Sequence, residues 1–458
     1  MFLEKIKSEG LAHLSYILGD GGEAAVIDPR RDCSIYREIA DREGCRITRI
    51  FETHRNEDYV IGSAELAART GAAIFHGGEL PFGYGETVEE GDEFRMGDIR
   101  LKILKTPGHT YESISIAVFD EASGDTPAAV FTGDALFIGD TGRTDFFPDR
   151  GTEPAELLHR SIFEKILPLG DGVILLPAHG AGSVCGSSLA AREFSTLGYE
   201  RLHNPSLRLR DREKFAAMKM DQTHHTPPYF RMMEKYNLEG PPVTALLPEP
   251  EPRDAGDFAD AAREGMVILD LRSPEAVSGA FIPGSLAIPR GMLPAFAGWF
   301  LDYRKPVGLV VEDTAEVKEA VRYLYRLGYD DIPAFLEGGL HQWETSGRGY
   351  DRIPAVHTAE IVEKIDRKEE FTLLDVRSRE EFEAGHLPGA VPVYLGELPD
   401  HYGKIPPGRP LITFCGSGRR AIIAASLLKR SGFEKVEVCL GSIQACTEVG
   451  CPIRTGPE

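Results

Sequence analysis

The sequence FETHRNEDYV, residues 51–60, follows the apolar run CRITRIF and has the composition of a metal-binding loop at the end of a strand. His54 and Asp58 supply an imidazole and a carboxylate, which are common metal ligands in proteins. Asn56 and Tyr59 occupy two further polar positions of the loop, and neither of them is an imidazole. The loop therefore raises the question of which metal, and which chemistry, a reduced set of ligands supports.

Three later segments add ligand candidates at or near the ends of apolar runs. LKTPGHTYES contains His109, AVFTGDALF contains Asp134, and VILLPAHGAG contains His179. A single histidine in such a place is more often a structural residue than a metal ligand. Several candidates in succession, each at a strand end, predict one metal site at an edge of a two-sheet sandwich.

In the order His54, Asp58, His109, Asp134 and His179, roughly residues 1–205 resemble the metallo-β-lactamase superfamily. The resemblance implies an αββα sandwich with two metal positions that share Asp134. It also implies that Asn56 and Tyr59 each remove one ligand. The set that stays complete is His54, His109 and Asp134. Asp58 and His179 are then expected to hydrogen-bond around the ligands, with a weak second metal site as the alternative.

Two imidazoles and one carboxylate suit non-haem Fe(II), because they leave coordination positions open for O₂ and a substrate atom. GRTDF, residues 142–146, is similar to the substrate loop of the persulfide dioxygenase branch of the superfamily. That resemblance implies one Fe(II) per chain, with zinc as the alternative metal, and oxidation of persulfides such as glutathione persulfide to sulfite. It makes Arg143 a candidate for binding a substrate carboxylate. Cys185, in HGAGSVCGSS, is a candidate sulfur-relay thiol or a passive loop cysteine.

The second half of the chain contains an internal repeat. VILDLRSPEAVSGAFIPGSLAIP (267–289) and TLLDVRSREEFEAGHLPGAVPV (372–393) align with Asp270 on Asp375. Short β-rich runs alternate with helical patterns in both copies, which predicts α/β domains with parallel sheets. Segments rich in Pro, Gly and charge precede the copies and predict linkers at 239–258 and 347–360. The sequence predicts three domains, at residues 1–240, 241–352 and 353–458.

The last copy contains a cysteine between a strand and a helix. In PLITF-CGSGRR-AIIAASLLKRSG, backbone N–H groups and the helix N-terminus favour a thiolate at Cys415, and Arg419 and Arg420 add positive charge. This loop resembles that of the rhodanese sulfurtransferases. The resemblance implies that Cys415 accepts and donates sulfane sulfur and that Arg420 is the arginine of the motif. The middle copy has Val311 or Glu312 at the corresponding place, which predicts a silent domain.

The net charge and composition of the whole chain limit the kinds of partner that it can bind. Its 458 residues carry a formal charge of −21, which argues against DNA, RNA or an anionic membrane surface as a partner. No apolar run approaches the roughly 18 residues that span a bilayer. The N-terminus lacks the layout of a signal peptide, and seven sparse cysteines suggest free thiols in a reducing compartment. We therefore expect a cytoplasmic protein; the sequence leaves its oligomeric state open, a homo-oligomer included.

Together these patterns predict a persulfide dioxygenase coupled to a sulfurtransferase. Sulfite from the first site is converted to thiosulfate at Cys415, or Cys415 delivers persulfide to the first site; the sequence does not choose between them. Two other functions stay open. A thioester hydrolase similar to glyoxalase II needs two metals that hold a hydroxide. A non-catalytic sulfur carrier needs only Cys415. The metal content of the protein distinguishes the dioxygenase, the hydrolase and the sulfur carrier.

Overall fold

A computed structural model of the chain describes residues 1–183, 189–222, 224–244, 246–406 and 408–457. Cys185 lies outside the described residues. Two compact units are present: Met1–Leu247 with Tyr325–Gly328, and Pro248–Leu324 with Tyr329–Glu458. The predicted boundaries at 240/241 and 352/353 stay predictions, although each predicted region contains its own sheet or pair of sheets.

The first unit is built from strands and helices in the following order. Its strands are β1 (Phe2–Ser8), β2 (His13–Asp20), β3 (Glu23–Ile27), β4 (Arg46–Phe51), β5 (Ala73–His76), β6 (Glu86–Thr87), β7 (Glu93–Met96), β8 (Ile99–Lys105), β9 (Ile114–Asp120), β10 (Pro127–Gly133) and β11 (Ile174–Pro177). Its helices are α1 (Ser34–Arg42), α2 (Ser63–Thr70), α3 (Glu153–Arg160), α4 (Leu197–His203), α5 (Arg212–Met220) and α6 (Phe230–Glu239). A π-helical turn, Ser161–Ile166, follows α3.

Two mixed sheets form the centre of this unit. One has the order β1-β2-β3-β4-β5-β6 and the other the order β11-β10-β9-β8-β7. Strand β8 shows why they pack: Ile99, Leu101 and Ile103 alternate with less buried residues and point to one face. That face joins a buried cluster with residues of the other sheet, including Leu18 and Phe51. The apolar side chains between the sheets therefore form the central core.

Helices cover the outer face of each sheet. Tyr36 and Leu66, from α1 and α2, pack with Val26 of the first sheet. Leu158 and Phe215, from α3 and α5, belong to a cluster with apolar residues of β10 and β11. The layer order is thus helix, sheet, sheet, helix, and it confirms the predicted αββα sandwich.

The second unit contains the repeat. Its strands are β12 (Glu251–Arg253), β13 (Val267–Asp270), β14 (Leu286–Ala287), β15 (Val307–Val310), β16 (Ala334–Leu336), β17 (Thr372–Asp375), β18 (Ala390–Pro392), β19 (Leu411–Phe414) and β20 (Val436–Val438). Its helices are α7 (Ala255–Arg263), α8 (Pro274–Gly279), α9 (Leu293–Phe300), α10 (Val317–Arg326, whose last two residues belong to the first unit), α11 (Gly339–Thr345), α12 (Thr358–Asp366), α13 (Arg379–Ala384), α14 (Leu398–His401), α15 (Arg419–Arg430) and α16 (Ser442–Val449).

The two copies form parallel sheets of the same central register. The orders are β12-β16-β15-β13-β14 and β18-β17-β19-β20, and all their pairings are parallel. Asp270 pairs with Val310 in one sheet, and Asp375 pairs with Phe414 in the other. The residue after Val310 is therefore the counterpart of Cys415, which makes Val311, rather than Glu312, the equivalent position. The predicted parallel α/β domains are confirmed.

The predicted linker at 239–258 is wrong in its second half, because that part folds. β12 occupies the edge of its sheet, where Pro252 is tolerated, and it pairs with β16. Asp254 then caps helix α7, its side chain accepting the backbone N–H groups of Gly256 and Asp257. Acid-rich and Pro-rich composition therefore marked an edge strand and a helix cap.

The expectation of free thiols is wrong for one pair of cysteines. Cys446 and Cys451 form a disulfide with a Cα–Cα distance of 4.9 Å. The turn that ends α16 brings them together, since the N–H of Cys451 donates to the carbonyl of Cys446. Free thiols among the described residues are those of Cys33, Cys45, Cys415 and Cys439.

Within the described residues, no helix combines the length and the apolar character that crossing a membrane requires.

Candidate functional site

Three side chains converge where strands of the first unit end. His54 lies in the loop after β4, His109 follows β8, and Asp134 follows β10 directly. One ligand atom from each lies within 4.8 Å of the others, and all three residues are buried. Oδ2 of Asp134 is 3.6 Å from Nε2 of His54 and 3.4 Å from Nε2 of His109. Strand ends that are distant in sequence therefore place two imidazoles and a carboxylate around one point.

The ring of His54 is oriented by a short chain of hydrogen bonds. The hydroxyl of Thr53 donates to Oδ2 of Asp28 at 2.7 Å, and the backbone N–H of Thr53 donates to Oδ1. Because this hydroxyl has a single proton, it accepts a hydrogen bond from Nδ1 of His54 at 2.9 Å. The second ring nitrogen, Nε2, then keeps its lone pair and faces Asp134. Asp28 thus fixes the tautomer that a metal needs.

A backbone carbonyl orients His109 in the same way. Nδ1 of His109 donates to the carbonyl oxygen of Arg143 at 2.9 Å, which leaves the lone pair on Nε2. The segment that supplies this carbonyl passes very close to the site. A Cβ atom on Gly142 would come within 2.0 Å of the carbonyl oxygen of Asp134 and 3.1 Å of Nδ1 of His109. Only glycine fits at this position.

His179 lies between two carboxylates. Its Nδ1 donates to Oδ1 of Asp134 at 2.7 Å, and its Nε2 is 3.1 Å from Oδ2 of Asp58. Burial alone would lower the pKa of His179, but the two carboxylates outweigh it and hold that pKa well above its usual value. The hydrogen bond from Nδ1 orients Asp134, while Nε2 of His179 is buried and has no hydrogen-bond partner.

The pKa values of His54 and His109 are shifted downward. Burial lowers the pKa of His54 to about 3, and burial also lowers the pKa of His109. Burial would raise the pKa of Asp134, but the neighbouring histidines hold it below its usual value. Two neutral imidazoles and an ionised carboxylate are the protonation states in which these groups bind a metal.

The site fits a metal ion, because it leaves ligand atoms without partners. Nε2 of His54 and Nε2 of His109 are both buried and have no hydrogen-bond partner. Buried polar nitrogens are costly in that state, and a cation placed near Oδ2 of Asp134 would engage both. The donor set of two imidazoles and one carboxylate is the one that non-haem Fe(II) sites use.

The two positions that depart from the superfamily pattern, Asn56 and Tyr59, carry an amide and a phenol in place of imidazoles. Nδ2 of Asn56 donates to the carbonyl of His54. The ring of Tyr59 is buried and stacks on the ring of His13, with 4.0 Å between centroids. Oδ1 of Asn56 and the hydroxyl of Tyr59 are buried and have no hydrogen-bond partner.

Glu57 is a residue that sequence reasoning missed. It is buried, and its Oε1 accepts from Nη2 of Arg55 at 3.0 Å. Its Oε2 has no hydrogen-bond partner and lies 3.9 Å from Nε2 of His109. Burial raises the pKa of Glu57 to about 8. Its place in the loop, next to Asp58, was the available signal.

The guanidinium of Arg143 is buried and engaged within its own unit. Its Nε and Nη2 donate to the two carboxylate oxygens of Asp145 at 2.6 and 2.7 Å. Its Nη1 donates to the carbonyl of His225. A substrate carboxylate would therefore compete with Asp145 for this side chain. The backbone carbonyl of Arg143 accepts the hydrogen bond from His109.

The Cys415 loop lies at the carboxyl end of β19. Cys415 is buried and is followed by Gly418, which has a φ of +80° at the N-terminus of α15. The backbone N–H of Cys415 donates to Oγ of Ser442 at 3.0 Å. That hydroxyl also lies 3.8 Å from the Cys415 sulfur. Ser442 is a second residue that the sequence did not single out.

The two arginines of this loop have different surroundings. Arg420 forms two hydrogen bonds of 2.6 Å to the carboxylate of Glu381, and a Cβ on Gly416 would lie 3.3 Å from its Nη2. Its guanidinium therefore lies against the loop. Arg419 is exposed at the start of α15, where it is free to meet an anion that approaches from solvent.

Separate parts of the chain match two known protein families. The metallo-beta-lactamase superfamily matches residues 9–179, and the rhodanese-like domain matches residues 254–346 and 358–448. Persulfide dioxygenase ETHE1 of Homo sapiens is 31% identical over 203 residues, which cover 43% of this chain and 71% of that protein. The chain belongs to the ETHE1 family. It is a fusion of an ETHE1-like metallo-beta-lactamase domain with two rhodanese-like domains.

Further relatives agree with that assignment. Persulfide dioxygenase ETHE1 of Bos taurus is 29% identical over 235 residues, covering 50% of this chain and 78% of that protein. A solved structure, described as a metallo-beta-lactamase from Staphylococcus aureus subsp. aureus COL, is 34% identical with a TM-score of 0.66. That likeness covers 73% of this chain and 98% of the other, so it extends beyond the ETHE1-like domain.

Proposed function

We propose that this member of the family is a persulfide dioxygenase coupled to a sulfurtransferase. The observation that supports it most is the set of His54, His109 and Asp134, in which two buried Nε2 atoms lack hydrogen-bond partners beside one carboxylate oxygen. Relatives of about 30% identity are named persulfide dioxygenases. A three-residue set is what an oxygenase needs, since both O₂ and a substrate must reach the metal.

Fe(II) is the metal that we propose, at one per chain and held by His54, His109 and Asp134. When bound there, it would supply a centre at which O₂ and the terminal sulfur of a persulfide can meet. The overall reaction with glutathione persulfide, GSSH, is GSSH + O₂ + H₂O → GSH + SO₃²⁻ + 2H⁺. The sulfane sulfur is oxidised by four electrons, and O₂ accepts them.

The residues of the chain itself prepare this centre. Thr53 and Asp28 fix the ring of His54, and the carbonyl of Arg143 fixes that of His109. His179 holds both oxygens of Asp134, at 2.7 and 3.0 Å. With the burial of the three ligands, these contacts keep competing water away and reduce the reorganisation needed on metal binding. Asp58 supports this arrangement by holding the far side of His179.

Sulfur transfer is proposed for Cys415. Its thiolate attacks the outer sulfur of thiosulfate, the S–S bond breaks, and sulfite leaves with the bonding electrons. The Cys415 persulfide then passes that sulfur to an acceptor, and the thiolate is regenerated. In the reverse direction sulfite is the acceptor and thiosulfate the product. Arg419 and Arg420 offer positive charge to these anions, in keeping with the preference of arginine for such groups.

The middle domain is proposed to be silent, because Val311 occupies the place of Cys415. Coupling between the two chemistries has two possible directions: sulfite from the first site becomes thiosulfate at Cys415, or Cys415 supplies the persulfide. Arg143 as a carboxylate-binding residue and Cys185 as a relay thiol also stay proposals. So does a cytoplasmic location, and a homo-oligomer is one assembly that the proposal allows.

Metal content tests the proposed cofactor. The full chain would be expressed in iron-replete medium, purified without chelators and analysed for iron and zinc by mass spectrometry. We expect one iron per chain. Two zinc ions per chain would contradict the proposal and favour a thioester hydrolase. A chain that binds no metal would contradict it as well, and would leave only a sulfur carrier.

A further inference from the structure

Ser442 has a backbone conformation that its position in the repeat explains. The pairings of β15 with β16 and of β19 with β20 make Gly339 the counterpart of Ser442 in the middle domain. Gly339 has a φ of +58°, and Ser442 has a φ of +46°. Glycine adopts this left-handed region freely, whereas a residue with a side chain is strained there. The domain with a sulfur-carrying cysteine therefore retains a strained serine where the other copy has glycine.

The hydroxyl of Ser442 lies where it can serve Cys415. Ser442 is fully buried, and its Oγ accepts the backbone N–H of Cys415 at 3.0 Å. The same Oγ donates to the carbonyl oxygen of Cys439 at 2.7 Å and lies 3.8 Å from the sulfur of Cys415. A single hydroxyl proton thus has two acceptors within reach, one neutral carbonyl and one sulfur that becomes negative during transfer.

The rest of the backbone around Ser442 is firmly held. Its N–H donates to the sulfur of Cys439 at 3.3 Å, and the N–H of Ile443 donates to the carbonyl of Cys415 at 3.1 Å. The helix that begins at Ser442 is therefore tied to the Cys415 loop at both the backbone and the side chain. Removal of the hydroxyl would leave the N–H of Cys415 without this acceptor.

We propose that Ser442 is a positioning residue for sulfur transfer: its hydroxyl fixes the backbone of Cys415 and shares its proton with the negatively charged sulfur. The middle domain needs no such group, since Val311 carries no sulfur and Gly339 fits the turn without strain. This inference rests on the proposed sulfurtransferase function of Cys415. It adds a residue that the Cys-x-x-Gly-x-Arg motif does not contain.

Two variants of the full chain separate positioning from structure. Ser442→Gly removes the hydroxyl but relieves the strained φ, so it should keep a higher melting temperature than Ser442→Ala. Despite that, the rate of Cys415 alkylation by iodoacetamide at pH 7 should fall about tenfold, the scale of a lost hydrogen bond to a charged group. The pH profile of alkylation should move to higher pH. Ser442→Ala should slow alkylation equally but have the lower melting temperature of the two, because it loses the same hydrogen bonds and keeps the strained φ.

A matched control is Ser426→Ala, which removes another buried hydroxyl of the same domain. The Ser426 hydroxyl accepts the N–H of Ala287, away from the Cys415 loop. This variant should lower the melting temperature and leave Cys415 alkylation at the wild-type rate.

The proposal is overturned if Ser442→Gly and Ser442→Ala alkylate at the wild-type rate with an unchanged pH profile. The hydroxyl would then have only a structural role. Failure of the proposed function looks different. A wild-type chain that alkylates rapidly at Cys415 but transfers no sulfur from thiosulfate to cyanide contradicts the sulfurtransferase, while the alkylation comparison still decides the role of Ser442.

Discussion

Nδ1 of His179 lies 2.7 Å from Oδ1 of Asp134, so the ring of His179 holds the carboxylate that faces His54 and His109. The other side of that ring faces Asp58 at 3.1 Å. In a superfamily site with two metals, the counterparts of Asp58 and His179 belong to the second metal position. Here Nε2 of His179 and Oδ2 of Asp58 lie within ion-pair distance of each other, and we propose that the two residues support Asp134 and that the chain binds one metal.

The first prediction concerns this support. His179→Ala should weaken iron binding about 10- to 100-fold, the usual effect of removing a group that orients a metal ligand. The stoichiometry of the saturated protein should stay at one iron per chain. Calorimetric titration of the metal-free protein with Fe(II) under anaerobic conditions measures both quantities. A wild type that binds two ions, and a variant that loses only one of them, would show that His179 is a ligand after all.

The second prediction concerns the three proposed ligands. His109→Ala and Asp134→Ala should abolish iron binding and O₂ uptake with glutathione persulfide, because a two-ligand site retains too few donors. Sulfur transfer at Cys415 should continue. His159→Ala is the matched control, since His159 is also buried in this unit but its Nε2 donates to the carbonyl oxygen of Arg210 instead. If the ligand variants keep their iron, the proposed donor set is incorrect.

Sequence patterns could identify the ligands but not the groups that orient them. His54, His109 and Asp134 follow strands whose apolar runs are visible in the sequence, and strands of a sandwich end at a common edge. Asp28 precedes Thr53 by 25 residues and reaches it only through the pairing of β3 with β4. The contact of His109 with a backbone carbonyl at Arg143 has no side-chain signature at all.

In the repeat, too, some features could be predicted from the sequence and others could not. The positions of β13 and β17 follow from apolar runs that end in Asp270 and Asp375, and both aspartates pair with an arginine two residues later, as repetition of the pattern suggests. The positive φ of Ser442 could not be predicted, because serine carries no preference for that region. The Cys446–Cys451 disulfide depends on the turn after α16, whereas composition alone favoured free thiols.

The third prediction separates the two chemistries. Cys415→Ser in the full chain should abolish thiosulfate:cyanide sulfur transfer, since no equivalent cysteine exists at Val311. O₂ uptake with glutathione persulfide should remain, because the iron site has its own ligands. Cys33→Ser, which alters another buried free cysteine, is the control and should change neither activity. Loss of O₂ uptake in Cys415→Ser would mean that the oxygenase receives its sulfur through Cys415.

The fourth prediction concerns a buried cation, Lys219. Its Nζ donates to the carbonyl of Thr141 and to the side chain of Gln222, and burial lowers its pKa from 10.5 to about 8. Between pH 8 and pH 10.5, Lys219 is protonated in the unfolded chain and neutral in the folded chain. The free energy of unfolding therefore rises with pH over this range. Below pH 8 the cost of burying the charge is present in full.

Lys219→Met should therefore gain stability relative to the wild type at pH 7, and this advantage should shrink between pH 8 and 10.5. The change is on the order of 3 kcal/mol, from about 1.4 kcal/mol per pKa unit. Urea unfolding at pH 7 and pH 10 measures it. Lys214→Met, on the exposed side of the same helix, should show no such pH dependence. A constant difference between Lys219→Met and wild type would refute the assignment of Lys219 as a costly buried charge.

The most direct test of the central claim is O₂ consumption by the iron-loaded full chain, recorded with an oxygen electrode as glutathione persulfide is added. Sulfite is quantified in the same samples, with cyanide omitted. Our account predicts one O₂ consumed and one sulfite formed per persulfide, with no uptake in Asp134→Ala and normal uptake in Cys415→Ser. An iron-loaded wild type that consumes no O₂ with any persulfide, yet hydrolyses glutathione thioesters, would contradict it.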